Sequence, residues 1–231
     1  KLVTGLPCSQ TETVLNATTD PARHGVPGRS DDRLMTSAGL TYTGIADTTL
    51  RAQYSEGYIT PTLLQLFTDT TAGRGALTYG NPALDPETSR NIEIGARYDA
   101  GGLVLDAAAF YTQAKDYITS VPCTAGAGCL AGWAPGDFIH VNADGATTYG
   151  LELTAEYALP GTSFTPYVAG AWMRRKLDFG TWSTYHSDTP ALSGRLGVRW
   201  DGEIADRPMW ADLFVRASSG VDLASMDGGI V

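Results

Sequence analysis

The reading turns on residues Glu87–Lys115, ETSRNIEIGARYDAGGLVLDAAAFYTQAK. In the first half, Ile92, Ile94, Ala96 and Tyr98 share one face of an extended chain, while Asn91, Glu93, Gly95 and Arg97 share the other. Such alternation marks a strand with one face against an apolar medium and one against a polar medium. Asp99–Gly102 reads as a turn, because glycine accepts the positive φ angles of a short hairpin. Leu103, Leu105, Ala107, Ala109 and Tyr111 then line the apolar face of a second strand. Both strands exceed the roughly five or six residues usual in soluble sheets. They reach the roughly ten that a tilted membrane-spanning strand requires.

The same unit recurs along the chain. Thr36, Ala38, Leu40 and Tyr42 mark a strand, residues 44–47 a turn, and Thr48–Gly57 a strand with Leu50, Ala52 and Tyr54 on one face. After the 58–86 connection and the quoted hairpin comes a second long connection, 117–146. Thr147–Leu159 sets Tyr149, Leu151, Leu153, Ala155 and Tyr157 against Gly150, Glu152, Thr154 and Glu156. A turn at 159–162 leads into Ser163–Lys176, and 177–189 is a loop. Ala191–Asp201, a turn ending at residue 207, and Pro208–Ser218 complete the series. The expected organisation is thus the end of a loop over 1–33, strands over 34–219, and the start of another loop over 220–231. Short and long connections alternate strictly, as they do in outer-membrane barrels with short periplasmic turns and longer extracellular loops. The fold class expected is all-β, an antiparallel transmembrane β-barrel.

Two regularities agree with this. Tyr42, Tyr98, Tyr157 and Trp200 each precede a short turn and fall on the apolar face, where an aromatic girdle meets the membrane–water interface. The alternative is the aromatic residues of a soluble core. On the polar faces Arg51, Arg97, Arg195, Arg199 and Arg216 stand with Glu93, Asp106, Glu152, Glu156 and Asp212. Those charges cancel, as suits a lumen with cross-strand pairs that can dock a polar plug. Taken alone, they also fit a solvated surface.

The totals exclude several classes. A net charge of −9 is unsuited to nucleic acid, which demands a basic surface. No apolar run approaches the roughly 20 residues of a transmembrane helix, and Lys1-Leu2-Val3 is no signal peptide; neither point counts against a barrel. Of the three cysteines, Cys123 and Cys129 flank a Gly/Ala-rich stretch and suit a small disulfide ring in an oxidising compartment, or else remain two thiols. Cys8 has no evident partner in this sequence. No metal-ligand spacing is present, and G-x-S-x-G, phosphate-loop and H-E-x-x-H patterns are missing. Ser183, His186 and Asp188 lie close in sequence but nothing orients them as a triad. The expectation is a protein that is not an enzyme and carries no cofactor.

Three stretches resemble the TonB-dependent outer-membrane receptors. Ser55-Glu56-Gly57-Tyr58-Ile59-Thr60-Pro61-Thr62-Leu63 looks like the family's "GFRAPT" box. Gly80-Asn81-Pro82-Ala83-Leu84-Asp85-Pro86-Glu87-Thr88, followed by Asn91-Ile92-Glu93-Ile94-Gly95, looks like its "GNPDLKPE" box and "NxELG" strand. Asp116-Tyr117-Ile118, Val141-Asn142 and Tyr149-Gly150-Leu151-Glu152-Leu153 match a third run. In physical terms, Pro82 and Pro86 end ladder pairing, and Gly150 leaves room on the lumen face. The resemblance implies a barrel of about 22 strands in the bacterial outer membrane, with an N-terminal plug inside. The plug, the TonB-binding segment and the last strand would lie outside this sequence, so partnership with plug and TonB would run through those regions. It implies lipid as the surroundings and energy-coupled uptake of a ferric siderophore or similar scarce nutrient. The alternatives are a passive pore or adhesin-like barrel, and a soluble β protein. Haem receptors of the family carry a His between the first two boxes; Tyr58–Gly80 has none. His24, His140 and His186 read as solvated loop residues. Tyr58, Tyr79, Trp133, Phe138, Trp182 and Tyr185 are candidate ligand contacts in the loops, or loop packing.

Overall fold

The structure is a computed structural model and describes residues 3–4, 8–10, 31–71, 76–124, 129, 132–187 and 189–221. Most of 1–33 and 220–231, with His24 and Asp188, therefore lies outside the described residues.

Eight long strands form a meander in sequence order: β1 (Ser37–Ile45), β2 (Thr48–Ile59), β3 (Glu87–Ala100), β4 (Leu103–Pro122), β5 (Phe138–Tyr157), β6 (Phe164–Asp178), β7 (Leu192–Ile204) and β8 (Arg207–Ser218). Every neighbouring pair is antiparallel. The path ends at β8 on one side and, through Val3–Thr4, beyond β1 on the other; among the described residues these ends do not pair. The register carries the alternation across the sheet. Ile94 stands opposite Ala52 and Ala109, and Ala109 opposite Leu151, so one continuous face is apolar. That face is open: Leu40 is 60% exposed, Ile94 59% and Leu196 65%. Apolar rows left uncovered this way require an apolar solvent, and lipid supplies it.

Three of the short turns are tighter than the alternation indicates, while the one expected at 159–162 spans 158–163. β7 runs to Ile204, and Ala205 and Asp206 alone make the turn with φ of 53° and 58°, the primed geometry that matches strand twist.

The connection expected over 117–146 is corrected. β4 continues to Pro122 and β5 begins at Phe138, with the ladder unbroken from Ala143↔Tyr117 to Phe138↔Pro122. Asp116, with a left-handed φ of 55°, marks where the alternation stops being readable. The register is unshifted across it, from Gly145↔Lys115 to Ala143↔Tyr117, but beyond it Val121 and Ile139 pack in a loop core, so the apolar–polar alternation that lipid imposes is lost although pairing persists. The 58–86 connection also contains structure: β2 reaches Ile59, a short helix spans Leu63–Phe67, and Thr70–Thr71 and Leu77–Tyr79 pair. Ser183–Thr184 pairs back on the end of β6. The buried apolar clusters sit at this loop end of the strands.

Candidate functional site

The polar face is built from side chains that reach across strands. Arg51 of β2 lies over Gly95 of β3 and reaches Asp106 of β4, donating from Nη1 at 3.0 Å and Nη2 at 2.7 Å. Glu93 accepts from Nε at 3.5 Å. A Cβ at Gly95 would lie 2.5 Å from Arg51 Cζ, so glycine is what lets the guanidinium cross. In the same way Tyr167 of β6 crosses β7 and donates to Asp212 of β8 at 2.8 Å. Arg195 pairs with Asp212 and lies between the rings of Phe214, 3.8 Å away, and Tyr167, 5.2 Å away. Arg97 donates to Asp99 at 3.1 Å; Arg199 donates to Asp201 at 2.8 Å and stands 4.0 Å from Glu156. Glu152 faces Ala108 and Ala171, and Arg216 faces Arg195. The room at Gly150 is occupied: the Phe110 ring lies over it, 2.7 Å from where a Cβ would stand.

Sequence reasoning missed Asp99 and Asp201 as partners. A signal was there, since Arg97-Tyr98-Asp99 and Arg199-Trp200-Asp201 repeat one pattern at two turns. It also missed Phe110 and Phe214 on the polar face, where parity alone places them.

The four turn-proximal aromatics all stand on the apolar face. Tyr42 is opposite Leu50, Tyr98 opposite Leu105, Tyr157 opposite Leu103, and Trp200 between Phe164 and Ala211. Toward the loops the same face carries Tyr54, Tyr111, Tyr149 and Trp172, the last two in edge contact at 5.9 Å.

The three stretches that carry the family resemblance meet in one knot at the loop end. Thr62 caps the helix Leu63–Phe67 in a capping box with Gln65, satisfying two end N–H groups reciprocally. Gln65 C=O accepts the Asn81 N–H at 2.7 Å, and Asn81 Nδ2 donates to His140 C=O at 2.9 Å. Asn142 then acts as a strand in miniature. Its Oδ1 accepts the Asp85 N–H at 2.7 Å, and its Nδ2 donates to the carbonyls of Asp85 at 2.9 Å and Asp116 at 2.6 Å. Pro61 and Leu84 are fully buried, Leu84 against Leu66. The boxes are thus a latch that ties loop 58–86 to β4 and β5.

Of the loop aromatics, Tyr79 and Trp133 come together in a second core with Val121, Cys123 and Ile139. Phe138 is half-buried beside it, opposite Thr78 and Pro122. Cys123 and Cys129 are joined in this core, with Cα atoms 5.8 Å apart. Its polar hub is Asp137, which accepts from Leu77 N–H at 2.9 Å, Ala134 N–H at 2.8 Å and Tyr79 Oη at 3.2 Å. Those donors hold its carboxyl below the usual range, while burial and Asp137 push the Tyr79 phenol up. The other candidates stand apart. Trp182 stacks on Phe179 at 4.4 Å, Tyr185 lies exposed under Arg174 at 4.9 Å, and Tyr58 lies under Arg33 at 5.9 Å. His140 is half-buried, and burial holds its ring below the usual histidine range. Among the described residues no group of three or more His, Cys, Asp or Glu is placed to hold a metal ion.

The comparisons with known proteins meet this geometry. A family model described as TonB dependent receptor-like, beta-barrel matches residues 9–228. An iron-regulated outer membrane virulence protein of Vibrio cholerae serotype O1 is 40% identical over 112 residues, covering 46% of this chain and 17% of that protein. The matched part is therefore under a fifth of that relative's length. The Serratia marcescens hemophore receptor HasR, solved with its hemophore HasA and heme, superposes with a TM-score of 0.61 at 20% identity, over 83% of this chain and 33% of that one. The ferric enterobactin receptor PfeA of Pseudomonas aeruginosa gives a TM-score of 0.55 at 20% identity, over 87% and 31%. At such identity the two structures attest the fold, an antiparallel barrel wall of the bacterial outer membrane. The chain belongs to the TonB-dependent receptor-like β-barrel family.

Proposed function

We propose that the receptor containing this chain imports a ferric siderophore, or a similarly scarce and bulky nutrient, by TonB-coupled transport across the outer membrane. The observation that carries this reading is the 40% identity to an iron-regulated outer membrane protein, within a family of transporters rather than enzymes. The solved heme hemophore receptor and ferric enterobactin receptor point the same way, toward scarce, bulky nutrients. A polar face on which Arg51, Arg97, Arg195 and Arg199 pair with carboxylates suits a lumen that can dock a polar plug. A siderophore is favoured over haem because Tyr58–Gly80 lacks histidine and His140 is half-buried.

The test is growth of an iron-starved strain lacking its own receptors and carrying the full-length gene. Rescue by ferric siderophores in a TonB-competent host, and none in a TonB-deficient host, is the expected result. Equal uptake in both hosts overturns energy coupling in favour of a passive pore. Rescue by haem alone overturns the siderophore.

A further inference from the structure

The register shows a band of cations on the lipid side. Tyr54, Ile92, Tyr111 and Tyr149 form one row of the apolar face, with Arg174 opposite Tyr149. Two residues nearer the loops the row reads Glu56, Arg90, Gln113, Thr147 and Lys176. The next reads Tyr58, Thr88, Lys115, Gly145 and Asp178. In a chain of net charge −9, Arg90, Lys115 and Lys176 thus gather, with Glu56 and Asp178, on one strip of the outward face immediately above its aromatic row, which Arg174 ends.

The height of the strip is set by the strands. On β4, Leu103 stands opposite the girdle residue Tyr157. Lys115 comes about twelve residues later, roughly 40 Å of strand at about 3.3 Å per residue. At a tilt of about 40° that is roughly 30 Å of height, just past an apolar band about 25 Å tall. The cations lie where lipid headgroups lie.

A cavity of about 160 Å³ opens at this height. Arg90, Lys115, Gln113 and Glu56 of those rows line it, together with Arg33. Three cations against one carboxylate leave it electropositive. The carboxylate is engaged elsewhere as well, accepting from Tyr54 Oη at 2.8 Å and from Thr36 N and Oγ1 at 3.1 and 2.8 Å. Arg90 is held only loosely, 3.9 Å from Glu56, with its side chain 73% exposed. Guanidinium forks and an ammonium converging on a small polar cavity suit a phosphate oxyanion. Below the cavity the face continues as Ile92 and Ile94, 54% and 59% exposed, where acyl chains would lie.

We infer that this cavity binds the phosphorylated headgroup of an outer-leaflet lipid. A soluble nutrient crossing the barrel would travel along the polar face, whereas these cations stand on the rows that face lipid. The site therefore belongs to the receptor's fit with its membrane.

The test uses the purified full-length receptor, with native mass spectrometry reading retention of diphosphoryl lipid A against the same lipid stripped of both phosphates. The wild type is expected to prefer the phosphorylated form by tenfold or more. Each headgroup-level cation contributes about fivefold, so R33Q/R90Q/K115Q loses roughly a hundredfold. R90K/K115R, which keeps the charges, retains binding. Should the triple variant not fold, R90Q alone is expected to lose about fivefold. Equal retention of the two lipids by the wild type, or undiminished retention in the glutamine variants, overturns the inference. Displacement of the lipid by millimolar inorganic phosphate also overturns it, by assigning the cavity to a free anion.

Discussion

Asn142→Ala tests whether the family boxes are a latch. Asn142 supplies three hydrogen bonds at 2.6–2.9 Å, two of them closing on the backbone of Asp85. Alanine leaves the Asp85 N–H and two carbonyls to find water. A net value of about 1 kcal/mol per bond gives roughly 3 kcal/mol, and partial rehydration at this half-exposed rim brings it to about 2–3 kcal/mol. The loss is local, because the ladder below is intact. It therefore appears in the opening of segment 61–86 rather than in the melting of the barrel. The reporters are the amides of Asn81 and Leu84, whose acceptors are Gln65 C=O and Asn81 C=O; neither acceptor is touched by the substitution. Hydrogen exchange at both is expected to accelerate roughly 30- to 150-fold. Peptides from the lower half of β4 should exchange as in the wild type. If Asn81 and Leu84 stay within about threefold of wild type while Asp85 alone speeds up, the knot is held by other bonds and Asn142 is a bystander.

Gly95→Ala places a Cβ against Arg51 and should displace the guanidinium from Asp106. The pair is about one-third exposed, so the expected cost is about 1 kcal/mol in urea unfolding of the full-length receptor, and an Arg51→Ala background should abolish it. Cys123→Ser opens a ring of about seven residues worth about 2.4 kcal/mol of loop-closure entropy. Cleavage by thermolysin within 123–137 should rise about 50-fold; an unchanged rate would mean that the apolar core alone holds the loop. Asp137 has a folded pKa below its ordinary value of 3.8. Its stabilisation is thus complete above about pH 4 and is lost as pH falls through the still lower folded value. Pepsin digestion of loop 123–137 should accelerate between about pH 4 and about pH 2, whereas Asp137→Asn should be cut quickly at both; equal digestion of wild type and variant refutes the hub.

The barrel wall was legible because lipid and lumen write opposite requirements on alternate residues. Ile92, Ile94, Leu151 and Leu153 could be assigned by parity alone, and the register bears each of them out. Legibility ended at Asp116. Beyond it the strands pack on a loop core through Val121 and Ile139 and no longer separate lipid from lumen, so six further rungs of β4, Tyr117–Pro122, read as loop. The polar-face partners were half-legible. Charges are visible in a sequence, but Arg51 reaches past its neighbouring strand to Asp106, and that reach depends on the missing side chain of Gly95. The loop aromatics were legible only as a class. Tyr79 becomes core because Asp137, far along the chain, satisfies its hydroxyl; Tyr185 remains exposed, covered on one side by Arg174.

This division explains what family likeness measures. Thr62, Asn81, Leu84, Asp85 and Asn142, the residues of the matching boxes, are spent on capping one helix turn and clasping two strands. A buried Leu84 and a backbone-mimicking Asn142 serve any barrel of this plan, whatever it imports. Likeness in the boxes therefore reports how the rim is assembled, and a heme hemophore receptor and a ferric enterobactin receptor can share the fold at 20% identity. On the proposed function, choice of nutrient falls to side chains that the latch leaves outside, where variation costs no rung of the ladder. Trp182, stacked on Phe179, is such a position. Trp182→Ala should accordingly alter ligand affinity while Asn81 exchange stays at the wild-type rate. Asn142→Ala should loosen the rim for every ligand alike, and a ligand-selective effect of Asn142→Ala would refute this separation of roles.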